Sequence, residues 1–183
     1  MERKIVYFEK AGKINTEKTL VLAKERAEEL GLKKVVLASS RGTTAQLALK
    51  VFKNTDIHLI VVGESRKRFQ RDVFASLENM GIPVRFSSEV EYSYPEIVVN
   101  AFRKVSEGMK VVMELGMIVG EEGLAAENEE IVVVAGTGPI GFDGGGGADT
   151  AVVMIPQKIE DFFKLPKKKE NRRNIKEIIC KPR

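Results

Sequence analysis

The sequence predicts an α/β protein with helices on both faces of a mainly parallel sheet. Three observations point there. Short, wholly apolar runs such as 35–38 and 131–135 alternate with segments whose apolar residues recur at helical spacing. Those runs lack a polar alternation, which is the mark of strands buried on both faces. Finally, the runs 131–135 and 151–155 have no helix between them, only a 15-residue glycine-rich connection, so they are expected to be antiparallel neighbours.

The elements follow from local signals. Ile5-Val6-Tyr7-Phe8 suits a short strand, and Asn15-Thr16 caps a helix with Leu20, Ala23, Ala27 and Leu30 on one face, ended by Gly31. A strand at 35–38 leads to a helix over 43–53 with Ala45, Ala48, Val51 and Phe52 inward. A strand at 57–62 precedes a helix carrying Phe69, Val73, Leu77 and Met80, ended by Gly81, and 83–86 is a further short strand. Pro95 suits the first turn of a helix running to about Ser106. Gly108 separates it from a very apolar helix over 109–119. After the strands 131–135 and 151–155, a Lys/Arg-rich segment holds a helix near 175–179. The expected division is one α/β domain over 1–163 and a basic tail over 164–183.

Composition bounds the function. The 183 residues suffice for a hydrophobic core, and 43% hydrophobic with 31% charged is the make-up of a globular chain. One cysteine, Cys180, excludes an intramolecular disulfide framework and a cysteine zinc site. There is no 18-residue apolar run and no signal-peptide pattern at the start, so no membrane partner is expected and the cytoplasm is the expected compartment. The net charge of +4 invites a nucleic-acid reading, but 164–183 alone carry nine Lys/Arg against two Glu. The remaining residues are net −3, so the basic character belongs to a tail and nucleic acid is an unlikely partner. Many Lys and Glu with only three Gln resemble a thermophile's usage.

In sheets of this kind ligands bind at the carboxyl ends of the strands, where the strand order reverses. Four polar features map to that edge. Ser39-Ser40-Arg41-Gly42-Thr43-Thr44 lies between a strand and a helix N-terminus, where free N–H groups, hydroxyls and the helix dipole favour a phosphate and Arg41 adds a charged contact. The bland alternative is a plain turn with Thr43 as N-cap. The glycine-rich connection 136–147 is long enough for a ligand flap. Lys110 begins the apolar helix, four residues before Glu114, and either pairs with it or touches an anion. Asn15-Thr16 is the fourth feature. Asp143 and Asp149 flank the glycines and either accept ligand hydroxyls or cap the loop.

The segment 35–48, VVLASSRGTTAQLA, resembles the strand, phosphate loop and helix of the pyruvate kinase C-terminal domain. The segment 133–156, VVAGTGPIGFDGGGGADTAVVMIP, resembles that domain's strand, glycine-rich effector loop and final strand, and GMKVVMELGMIVGEEG over 108–123 is similar to stand-alone relatives. The resemblance covers roughly 16–156. It implies a three-layer α/β/α sandwich with a mixed five-stranded sheet of order 3-2-1-4-5, the last strand antiparallel. It also implies that Ser39, Ser40, Arg41, Gly42, Thr43 and Thr44 cradle a phosphate. By the same match Gly145, Gly146 and Gly147 would close over the ligand, and Gly136, Thr137, Gly138, Asp149 and Thr150 are the further ligand-binding residues expected on that side.

Two departures bear on the ligand. Arg41 precedes Gly42, the reverse of the order in the family's effector loop, and 144–149 lack the aromatic and basic residues often found there. A mononucleotide such as FMN therefore suits the site as well as a sugar phosphate does. No catalytic barrel fits in this length, so pyruvate kinase activity is not expected. The leading expectation is binding of a phosphorylated small molecule by a homo-oligomer. The alternatives are an enzyme of unknown reaction using the same pocket, or an oligomeric interaction module built on the helix 109–119 and the basic tail. No catalytic residue and no metal site is assigned. His58, Tyr92 and Tyr94 read as structural, and Arg66, Lys67 and Arg68 as a solvated face.

Overall fold

The computed structural model describes residues 2–91, 95–137, 146–164 and 174–183. In chain order the strands are β1 (Val6–Phe8), β2 (Lys34–Ala38), β3 (His58–Gly63), β4 (Val84–Phe86), β5 (Ile131–Ala135), β6 (Thr150–Met154) and β7 (Ile175–Pro182). The helices are α1 (Thr16–Leu30), α2 (Thr43–Val51), α3 (Arg71–Asn79), α4 (Glu96–Arg103), α5 (Glu107–Glu121) and the short α6 (Ile159–Phe162). Helices α1 and α3 end at Gly31 and Met80-Gly81, as the glycines predict.

The sheet has the order β1-β7-β6-β5-β2-β3-β4. The five-stranded part, β4-β3-β2-β5-β6, has the expected order 3-2-1-4-5, with β6 antiparallel to β5. Two strands are added beyond it. β7 pairs antiparallel with β6, and β1 pairs in parallel with β7. Only β6 thus runs against the rest of the sheet.

Alternate residues of the central strands feed two cores. Val35, Leu37, Leu59, Val61, Val132 and Val134 meet Leu20, Ala23 and Ala27 of α1, Ala45 and Ala48 of α2, and Val73 and Leu77 of α3. Val36, Ile60, Ile131, Val133 and Val152 face Met109, Val112, Leu115 and Ile118 of α5. These are the three layers. Helix α5 is nearly all apolar because it covers its face of the sheet almost alone, with α4 and α6 packed against it. Leu30 and Met80, expected inward, are 38% and 60% exposed; Leu30 is the last residue of α1 and Met80 the cap residue that follows α3.

The helix expected near 175–179 is a strand instead. Its Ile175, Ile178 and Ile179 have helical spacing, but two register shifts opposite β6 break the strand's alternation. Ala151 pairs with Cys180 and Val152 with Ile178, so Ile179 is an extra residue; Lys176 is a second, between partners of Val153 and Met154. The charge-based tail 164–183 therefore ends in sheet. The segment 167–173 lies outside the described residues.

Cys180 sits in β7 between β1 and β6, fully buried. Burial is the main cause that pushes its thiol up to about 12 from 9.0, against hydrogen bonding that works the other way. The folded protein therefore holds the neutral thiol. Its stabilising effect is complete below the unfolded thiol's pKa and is lost as pH rises from about 9 to about 12. We expect wild type to lose more stability than Cys180→Ala over that range in urea titrations. Thiol reagents should modify Cys180 only as fast as the protein unfolds.

Candidate functional site

β2 and β5 are hydrogen-bonded neighbours, Val36 opposite Val133, and the chain leaves them in opposite directions across the sheet. Their carboxyl ends therefore open a crevice between two loops: 39–44 after β2, and the connection that follows β5. Helices α1 and α2 begin at this same edge, and so does α5, whose Gly108 lies against Thr150. Each brings the positive end of its dipole.

The loop 39–44 is built tightly. Ser39 is buried; its N–H donates to the Val62 carbonyl and its Oγ accepts from Ala45 N–H at 3.2 Å. Gly42, rather than Thr43, is thus the N-cap residue of α2, Thr43 is its first residue, and the Ser39 hydroxyl takes the first-turn amide of Ala45 from outside the helix. Gly42 takes a left-handed φ of 97°, and a Cβ there would lie 2.9 Å from Val73 Cγ1. The Arg41 carbonyl accepts from Gln70 N–H, which anchors the loop to the start of α3. Arg41 and Thr43 are exposed, Ser40 is half-buried and Thr44 is buried. The loop carries the hydroxyls of Ser40 and Thr43, the Arg41 guanidinium and the N-terminus of α2, group types that suit a phosphate.

On the β5 side the described residues are the stem of the loop. Gly136 passes so close to Gly147 that a Cβ would strike the Gly147 carbonyl. Asp149 has no exposed surface. Its Oδ2 accepts from Gly12 N–H at 2.7 Å, Thr137 Oγ1–H at 2.8 Å and Thr137 N–H at 3.3 Å. Its Oδ1 accepts from Thr150 Oγ1–H at 2.9 Å. These four hydrogen bonds tie Asp149 to the stem of the loop, as in the capping role, one of the two expected for it. Gly138, Asp143 and Gly145 lie outside the described residues, as do Tyr92 and Tyr94.

Lys110 donates to Glu114 at 2.7 Å, and both are mostly buried. Arg68 pairs with Glu64, and Arg66 pairs with Glu89 and lies over the rings of Phe74 and Phe86. His58 opens β3 at the opposite edge of the sheet, where it lines an open cleft of about 320 Å³ with Phe52, Met80 and Pro83. Among the described residues no three His, Cys, Asp or Glu side chains gather to hold a metal. No helix of the described residues is long and apolar enough to cross a membrane.

The sequence reading missed Gly12, Thr19 and Gly108. The signal was present for two of them. Thr16 and Thr19 are three apart on the apolar face of α1, where a hydroxyl must find a partner. Gly108 is a glycine in the first turn of a helix, and any Cβ there would collide with Thr150 Oγ1.

The family described as "Pyruvate kinase, alpha/beta domain" matches residues 17–154. Among solved structures, a pyruvate kinase of Cryptosporidium parvum is 18% identical over 66% of this chain and 20% of its own, with a TM-score of 0.39. A structure of Cryptosporidium parvum pyruvate kinase in complex with ADP is 18% identical over 76% of this chain and 23% of its own, with a TM-score of 0.42. The chain spans about a fifth of the length of these pyruvate kinases.

Removing the Asp149 carboxylate leaves four donors to be satisfied in the interior. We expect Asp149→Ala to lose about 2–4 kcal/mol of stability in urea titrations. A loss below about 0.5 kcal/mol, the level of ordinary surface substitutions, would show that the carboxylate does not hold the stem.

Proposed function

Because this chain belongs to the pyruvate kinase alpha/beta domain family, we propose that it binds a phosphorylated small molecule, a mononucleotide such as FMN or a sugar phosphate, in the crevice between β2 and β5. The observation that carries the proposal is the loop 39–44. It is a sharp turn, fixed by Ser39 and Gly42, that ends in a helix N-terminus at the point where the strand order reverses.

The roles follow from the geometry. The amides of Thr43 and Thr44, with the hydroxyls of Ser40 and Thr43, take the phosphate oxygens. Arg41 neutralises the charge from the exposed side. Ser39 and Thr44 are buried and shape the loop from beneath. Gly136, Thr137 and residues 146–150 form the opposite wall, with Asp149 holding its base rather than touching the ligand. Glu114 holds Lys110 at the start of α5, and Lys110 is given no direct contact. The proposal is of binding; pyruvate kinase turnover by this chain is not part of it.

Thermal-shift measurements with FMN, nucleotides and sugar phosphates test the reading. At least one is expected to raise Tm at submillimolar concentration, and no response at millimolar concentration would contradict it. For the ligand that binds, Arg41→Ala should cost about 1.5–3 kcal/mol of affinity, the range of a charge-assisted contact. An unchanged Kd would remove Arg41 from the site.

A further inference from the structure

Residues 2–16 and the strand β7 lie on either side of the family match, and both bear on the stem of the glycine-rich loop. We infer that these flanks form one added unit that braces the stem of the glycine-rich loop and so sets the affinity of the site. The part concerning affinity rests on the binding reading above; the brace itself rests on contacts within the chain.

Three consecutive stem residues are held by the segment just before the match. Gly147, at φ 88°, lies on Lys13 so closely that a Cβ would come within 2.6 Å of Lys13 Cα. Ala148 N–H donates to Thr16 Oγ1 at 3.0 Å, and the same hydroxyl donates to the Lys13 carbonyl at 2.9 Å. Asp149 accepts from Gly12 N–H. Thr16 is buried, so its hydroxyl has no water to fall back on.

The other flank anchors this segment. β1 leads into it and pairs with β7, Val6 opposite Cys180 and Phe8 opposite Pro182. Arg183 N–H donates to the Phe8 carbonyl at 3.0 Å. β7 is tied in turn to α1, where Arg26 binds Glu177 at 2.7 Å and Glu29 at 2.6 Å. The turn 9–16 is thus held at one end by the β1–β7 pair and at the other by the first turn of α1. Between those points it lies along the loop stem. Undocking of either flanking strand would release the stem, which places the site under the control of segments outside the family domain.

Thr16→Val in the full chain tests this, since it removes both hydroxyl bonds with little change of shape, while Thr16→Ser keeps them. Two quantities are read: hydrogen exchange of the stem peptide 146–150 without ligand, and the Kd for FMN or for whichever sugar phosphate binds wild type. We expect Thr16→Val to speed stem exchange by about tenfold or more and to raise Kd by a similar factor, the scale of losing hydrogen bonds at a buried site. Exchange in β2 and β5 should stay unchanged, and Thr16→Ser should match wild type. Unchanged stem exchange would overturn the brace. Faster exchange with an unchanged Kd would overturn its control of affinity. If wild type binds none of the probes, the binding reading fails while the exchange data still decide the brace. Should Thr16→Val not fold, Gly12→Ala is read in the same assays: Gly12 holds a left-handed φ of 98° that alanine rarely adopts, and a Cβ there meets nothing within 4 Å, so the change strains the turn that carries its amide to Asp149.

Discussion

A buried carboxylate is tolerated where several hydrogen-bond donors converge on it. Asp149 meets that condition by drawing on three separate parts of the chain: the Gly12 amide, the Thr137 amide and hydroxyl, and the Thr150 hydroxyl. The start of α5 at Gly108 lies beside it, adding the positive end of a helix dipole. The demand of one side chain thereby fixes where the loop after β5 leaves the sheet, where it returns, and where the N-terminal segment crosses it. The crevice has its shape because these constraints coincide at the carboxyl edge.

That arrangement changes what the charge composition means. The domain is slightly acidic and the excess of basic residues is concentrated in 164–183. Two of these basic groups have local partners: Lys164 pairs with Asp161 and Glu160, and Lys181 reaches the Val105 carbonyl and lies over Tyr7. In the proposed site, attraction for an anion would come instead from oriented backbone at the starts of helices, which a count of residues does not register, and from Arg41. The affinity expected of such a site is correspondingly sensitive to loop geometry.

The legible part of the fold is the part governed by burial. β2 and β5 are buried on both faces, so they read as unbroken apolar runs, and α5 reads as apolar because it shields one face of the sheet nearly alone. The order of the central strands and the position of the loop 39–44 come with the family resemblance. β7 was not legible, since two bulges give its isoleucines a helical spacing and a charged run precedes it. The hydroxyl contact at the start of α2 was hidden as well: Ser39 reaches Ala45 across six residues, a contact that exists only after the turn has formed. The sequence leaves the hub role of Asp149 as one of two options, because Asp149 and its partner Gly12 are 137 residues apart.

The central claim is that a phosphate sits at the start of α2, in the crevice between β2 and β5. Amide chemical-shift mapping during titration of the full chain with FMN tests it most directly. The account predicts that the largest shifts fall on the amides of Ser40, Arg41, Thr43 and Thr44, with a second set at Gly146 and Gly147. Shifts confined to the cleft around His58 and Met80, at the opposite edge of the sheet, would contradict it.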